Sequence, residues 1–269
     1  MANHPHDRRF IFHGNATPFG ARIVSIDGKP FFAVVEGPPC TSLTVVGGHH
    51  RAQSAGGRYD AGPYKDTFKW GTTFAESKGE ELDNGHHVTT VTACIEEVSA
   101  KNGSIVFSAR KLCLSTKADH GPDGQPEIVF TDITVQGLEL DGKPVELEID
   151  DDFSKFPTFA QFEREYRKNE NFFKKYQTRL THGTGGKFGE KLPRTTSGHT
   201  GVSFVNSIRW NGKKIKGSVL TLKGFGKIHF GEVLMKDNNR RGTLVRLAMG
   251  SGTGGQAGAA AVDPNGSWS

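Results

Sequence analysis

Three times in this chain an apolar residue, an Asx-Gly dipeptide and a lysine follow one another: Ile26-Asp27-Gly28-Lys29, Leu140-Asp141-Gly142-Lys143 and Trp210-Asn211-Gly212-Lys213. Lys101-Asn102-Gly103-Ser104 is a fourth turn of the same chemistry. A type I′ hairpin turn needs two successive residues with positive φ, which Asn or Asp followed by Gly supplies at least cost. The chain is therefore committed to antiparallel strands. Alternating apolar segments flank the turns at Ala21–Ser25, Phe31–Glu36, Ser42–Val46, Lys65–Phe74, His87–Val98, Ser104–Ser115, Glu127–Leu140 and Val145–Ile149. A second set runs over Val202–Trp210, Ile215–Leu222, Lys227–Met235 and Thr243–Met249. Strands of about a dozen residues around Asn102-Gly103 suit a β-sandwich or barrel better than a small flat sheet. The unequal spacing of the turns argues against a solenoid or propeller. Gly47 to Pro63, rich in glycine and without an apolar run, reads as a long irregular loop.

One stretch has helical period. Thr158 and Gln161 match a capping box, and Phe159, Phe162, Tyr166, Phe173, Tyr176 and Leu180 then form one apolar stripe. The stripe predicts a single long amphipathic helix over 158–182, with Asn169 a polar break within it. His182-Gly183-Thr184-Gly185-Gly186 reads as its exit, with Gly183 at the C′ position. The same five residues resemble an oxyanion loop, but no G-x-S-x-G elbow accompanies them. The mainly β chain thus divides into an acidic β-rich region (1–152), the helix and connector (153–182), a basic β-rich region (183–250) and a Gly/Ala/Ser-rich tail (251–269), extended or loosely bound.

The charge follows the same division. The net +5 separates into 14 basic and 22 acidic side chains up to Asp152, and 20 basic and 7 acidic beyond it. Lys174, Lys175, Arg179, Lys213, Lys214, Arg240 and Arg241 are the candidate anion-binding residues of the basic half. Three arrangements satisfy such a division: a polyanion or small anionic ligand on the basic half, pairing of unlike halves between subunits of a homo-oligomer, or neutralisation within one molecule. No nucleic-acid signature accompanies the charge, because the helix aromatics lie on the apolar stripe.

The N-terminal residues run directly into polar sequence, and no apolar run reaches the roughly 18 residues of a spanning helix. A cytoplasmic protein with no membrane partner is the expectation. Cys40, Cys94 and Cys113 are widely spaced, and read as reduced structural thiols. Gly224-Phe225-Gly226 lacks the context of a dinucleotide fingerprint and no P-loop occurs, so no cofactor is expected. A metal site is likewise not expected: His50 and His87 have no ligand spacing, and His4, behind Ala2-Asn3, offers only a terminal copper or nickel chelate.

For catalysis the candidates are His229, Glu232 and His87. They would serve a cofactor-independent hydrolase or isomerase working in a β-barrel cavity. The leading expectation is instead a soluble, non-enzymatic binding or self-assembly protein that uses its complementary acidic and basic surfaces.

Six segments carry a likeness across most of the chain: Phe10-Ile-Phe-His-Gly-Asn-Ala, His87-Val-Thr-Thr-Val-Thr, Val135-Gln-Gly-Leu-Glu-Leu-Asp-Gly-Lys-Pro-Val-Glu, Phe225-Gly-Lys-Ile-His-Phe-Gly-Glu, Arg240-Arg-Gly-Thr-Leu-Val-Arg-Leu and Asn265-Gly266. Together they resemble an uncharacterised family of bacterial β-rich proteins with no assigned activity. The resemblance transfers no catalytic residue. It implies that the two halves of the chain belong to one unit.

Overall fold

The computed structural model describes residues 9–26, 29–35, 37–60, 65–122, 125–181, 186–250 and 253–268. In chain order the strands are β1 (Phe10–Ile26), β2 (Lys29–Val35), β3 (Thr41–Ser42), β4 (Gly48–Ser54), β5 (Gly57–Arg58), β6 (Phe68–Trp70), β7 (Thr73–Glu81), β8 (His87–Asn102), β9 (Ile105–His120), β10 (Glu127–Gln136), β11 (Glu139–Leu140) and β12 (Lys143–Ile149). Three helices follow, α1 (Asp152–Lys155), α2 (Phe159–Lys168) and α3 (Glu170–Gln177). Then come β13 (Thr200–Ser203), β14 (Val205–Trp210), β15 (Lys213–Lys216), β16 (Val219–Leu222), β17 (Gly226–Lys236), β18 (Asn239–Met249) and β19 (Thr253–Trp268).

Among the described residues these strands form two open antiparallel sheets, and neither closes into a barrel. The smaller runs β13-β17-β18-β19-β1-β2, with β16 beside β17 and β3 beside β1; the larger runs β15-β14-β12-β11-β9-β8-β6-β5, with β10 on β9 and β4-β7 on β8. The sheets pack face to face through β1 and β19 against β7, β8 and β9. Phe19 of β1 meets Phe68 and Trp70 of β6 at ring-centroid distances of 5.7 and 5.2 Å. Both sheets draw strands from both sides of Asp152.

Asp141 and Gly142 have φ of 53° and 67°, and Asn211 and Gly212 of 48° and 73°, as type I′ turns require. Asp27-Gly28 lies outside the described residues, between the paired Ile26 and Lys29. At the fourth turn Asn102 pairs with Ile105, so Gly103 and Ser104 are the central residues, one place later than the dipeptide predicts. That shift sets Cys94 directly opposite Cys113, and the two form a disulfide. The expectation of three reduced thiols is thereby corrected: Cys40 alone is free, and it is exposed.

Three other expectations are corrected. The predicted long helix is broken at Asn169, whose extended backbone ends α2 and whose side chain accepts from the amides of Asn171 and Phe172 to start α3. A polar residue on the stripe is a cap here, not a tolerated interruption. The capping box of Thr158 and Gln161 is present as read. The supposed loop from Gly47 holds β4, fully paired with β7. The tail is extended but not loose: β19 lies between β1 and β18, in the middle of its sheet. The Gly183 exit lies outside the described residues.

One line organises the smaller sheet. Between β1 and β19 the ladder pairs Thr17 with Ala261 and Phe19 with Ala259, passing over Pro18 and Ala260. Between β19 and β18 it passes over Ala260 and Leu244, and between β18 and β17 over Leu244 and Gly231. The line ends at Phe204, whose N–H donates to the Gly231 carbonyl at 3.0 Å and where the chain leaves one sheet for the other. Ala260 and Gly231 have φ of 50° and 61°. On either side of the line the inward alternation changes parity. Leu244 and Val245, and likewise Ala259 and Ala260, are successive residues that both enter the core. Paired bulges in register across neighbouring strands crease the sheet.

Two measurements check this description. Thiol titration of the denatured chain should count one reactive cysteine before reduction and three after it. Gly231→Ala should lower stability in urea by about 2 kcal/mol or more, since its φ is left-handed and a Cβ would lie 2.5 Å from the Phe204 ring. Gly258→Ala, whose Cβ would meet nothing closer than 3.8 Å, should stay within about 0.5 kcal/mol of the parent.

Candidate functional site

The crease has an outer side. Where two successive residues turn inward on each strand, the opposite face loses a row of side chains, and a valley opens between the residues that flank the gap. Thr17 and Gly20 of β1, Ala261 and Gly258 of β19, and Thr243 and Arg246 of β18 are those flanking residues, and all six line an open concavity of about 630 Å³. Small residues on the central strand leave its floor bare. Its walls are Arg22, Arg241, Arg246 and two apolar side chains of the edge strand β2, Phe32 and Val34, which are 69% and 63% exposed. Volumes of about 300–1,000 Å³ are usual for small-molecule sites.

The polar walls are ordered. Arg246 holds both carboxylate oxygens of Glu232, Nε to Oε2 at 2.6 Å and Nη2 to Oε1 at 2.9 Å. Arg241 donates to Asp263 at 2.7 and 3.1 Å, and Asn239 donates to the other oxygen at 3.1 Å. Arg22 donates to the Gln256 side-chain carbonyl at 2.9 Å and, among the described residues, pairs with no carboxylate. Three guanidinium groups thus face two carboxylates, leaving one positive charge in excess.

His229 and Glu232 do share a face, because the crease at Gly231 separates the inward residues Ile228 and Phe230 from Val233 and Met235. His229 lies directly opposite Arg246 in the ladder, one strand beyond the concavity. Glu232 is buried and clamped by Arg246, an ion-paired arrangement rather than that of an available base.

The basic candidates take different positions. Arg179 is fully buried, with Nη2 on Asp150 at 2.8 Å and on Asn206 at 2.6 Å and its guanidinium 4.9 Å from the Tyr176 ring centre. Arg240 is 1% exposed; it donates to the carbonyls of Ile128 at 2.8 Å and Phe153 at 3.1 Å and to that of Phe156, at the end of α1. Burial lowers its pKa to about 9. Neither side chain stands on the anion-facing surface that its charge suggested. Lys175 reaches both Asp150 and Asp152, Lys174 pairs with Glu170 at 2.7 Å and Lys214 with Glu148 at 2.8 Å. Lys213 is exposed beside its turn.

The carboxylates at this junction respond accordingly. Burial works against the Asp150 charge, but hydrogen bonds from Lys175 and Arg179 prevail and take its pKa down to about 2. Bonds from Lys214, Ser207 and Asn206 take Glu148 to about 2 as well. Asp150, Asp151 and Asp152 form a cluster of metal-ligating atoms, into which Lys175 extends its ammonium group. His4 lies outside the described residues, and His50 is exposed on β4.

His87 sits elsewhere, at one end of the sandwich. It is opposite His120 in the β8–β9 ladder, and Phe10 lies over both rings at 4.4 and 4.9 Å. Glu81 approaches His87 at 3.7 Å, and Asp119 bonds His86 at 2.6 Å. Burial, aided by the neighbouring His87 and opposed by Asp119, lowers the His120 pKa to about 4.

Sequence reasoning missed Arg22, Arg246, Phe32 and Val34. The available signal was the doubled inward pair, Leu244-Val245 and Ala259-Ala260, set between small or polar neighbours on adjacent strands.

The unfolded His120 takes up its proton near pH 6.5 and the folded one near 4. Stability should therefore fall as pH drops through that window, by up to about 3 kcal/mol, and His120→Gln should flatten the fall in urea titrations at pH 7.5 and 4.5.

No curated protein and no solved structure matches the chain. A family model described as a domain of unknown function matches residues 10–236, from the first residue of β1 to the last of β17. With most of its length inside that match, the chain belongs to the domain-of-unknown-function family DUF8256.

Proposed function

We propose that this chain is a non-enzymatic binding protein whose site is the valley of the crease and whose ligand is a small anion. The observation that carries the reading is the convergence of Arg22, Arg241 and Arg246 on one open concavity with, among the described residues, two carboxylates to answer them. A guanidinium fork on a preformed wall suits a planar or tetrahedral anion. Binding is favoured over turnover by the lining itself. Among the described residues it includes no histidine, cysteine or lysine, and its one carboxylate, Asp263, is taken by Arg241 and Asn239. The ligand reading is favoured over subunit pairing by the ion pairs that join the two halves internally, Lys175 and Arg179 to Asp150 and Lys214 to Glu148.

Titration of the full chain with 1-anilinonaphthalene-8-sulfonate, followed by fluorescence and calorimetry, tests this reading. One equivalent should bind. Arg22→Gln should weaken binding about tenfold, as expected for a lost hydrogen bond to a charged group, whereas Lys213→Gln should leave it unchanged. Binding indifferent to Arg22 would defeat the proposal.

A further inference from the structure

Resting on that reading, we infer that the ligand is a single-chain amphipathic carboxylate, its head on Arg22 and its hydrocarbon tail lying along β1, across the crease. The head follows from charge. Among the described residues the excess in the valley is one unit, because Arg241 and Arg246 are each neutralised by a carboxylate and Arg22 is not. A monoanion cancels that excess, whereas a dianion would leave a charge of the opposite sign. Arg22 also stands exposed at one end of the valley, held by Gln256.

The tail follows from the floor and the wall beside that head. Val34 pairs with Arg22 across β1 and β2, and Phe32 lies two residues along the same edge strand. Two large apolar side chains more than 60% exposed beside an arginine are costly for a site that takes a compact polar anion. Beside them the floor is Gly20, Gly258 and Ala261, with no side chain larger than a methyl. From Arg22 to Asn15, where Asp263 and Arg241 flank it, the valley follows β1 over eight residues, roughly 20 Å at the rise of a strand. That is a channel for an elongated molecule. The unneutralised charge of Arg22 beside the exposed Val34 and Phe32, above a floor of small residues, suits an amphiphile.

The test is a chain-length series on the full protein by calorimetry, with acetate, octanoate, decanoate and dodecanoate. The expected result is one equivalent bound, with affinity rising two- to fourfold per added methylene, the upper value being that of a fully buried group. Arg22→Gln should weaken dodecanoate about tenfold and Arg22→Lys less. Gly258→Phe should abolish binding, with thermal unfolding recorded alongside to report on the fold; a Cβ at this position meets nothing closer than the Thr243 Cγ2 at 3.8 Å. A flat series in which acetate or a sulfonate still binds through Arg22 would overturn the amphiphile and leave the anion site standing. Absence of binding by every carboxylate and sulfonate would overturn both. Uptake of many equivalents that ignores Arg22 and Gly258 would overturn the inference, as would sedimentation with anionic phospholipid vesicles without uptake of free dodecanoate.

Discussion

The crease through Pro18, Ala260, Leu244, Gly231 and Phe204 is the constraint on which the rest of the smaller sheet depends. A straight strand of period two cannot put Ile228 and Phe230 in the core and also Val233 and Met235. The change of parity at Gly231 allows both, and the same change on β18 and β19 keeps the neighbouring strands in step. Because partners slip together, no ladder shifts register across the line, and the sheet bends without losing pairing beyond it. The end of the line at Phe204 is where the chain moves from β13 into β14 of the other sheet. Bend, crossing and valley are three results of one local geometry.

Charge is organised at a second place, the junction of β12 with α1. Counted along the chain, the sign changes at Asp150-Asp151-Asp152. In the fold Asp150 and Asp152 meet Lys175 of α3 and Arg179 just after it, so at this junction unlike charges tie the two sides of the chain together. A count of lysines and arginines could not show this. It treats Arg179 and Arg240 like Lys213, although two of them are sealed in the core and one is in water. A buried arginine needs all its partners supplied. Arg240 finds its partners in backbone carbonyls at the end of α1, which ties β18 to the helices and to β10.

What was legible in the sequence was local. The Asx-Gly turns at Asp141 and Asn211 and the capping box at Thr158 depend on neighbouring residues, and they stand as read; three of the strands beside the turns are instead cut in two, at Gly137-Leu138, at Phe204 and at Gly217-Ser218. Where a single position carried long-range consequences, the reading failed. Placing the turn at Asn102-Gly103 rather than Gly103-Ser104 sets Cys94 against Lys111 instead of Cys113, so a slip of one residue hides a disulfide. The pairing of β1 with β19 joins residues at opposite ends of the chain, which no local pattern announces. The candidate site was illegible for a related reason. Its floor is made of glycine and alanine, and its walls come from four strands, three of which change their alternation within the site.

β19 shows why such a strand was taken for a tail, and what its composition achieves. Gly and Ala have weak strand preference, so Gly-Gly-Gln-Ala-Gly-Ala-Ala-Ala would not hold an edge. Between β1 and β18 it is held by ladders on both sides. On the inner face Ala257, Ala259 and Ala260 fill the core with small side chains opposite the aromatic residues of the larger sheet. On the outer face Gly258 and Ala261 leave the valley open. A Cβ at Gly258 would meet nothing closer than the Thr243 Cγ2 at 3.8 Å, so close packing does not by itself demand glycine there.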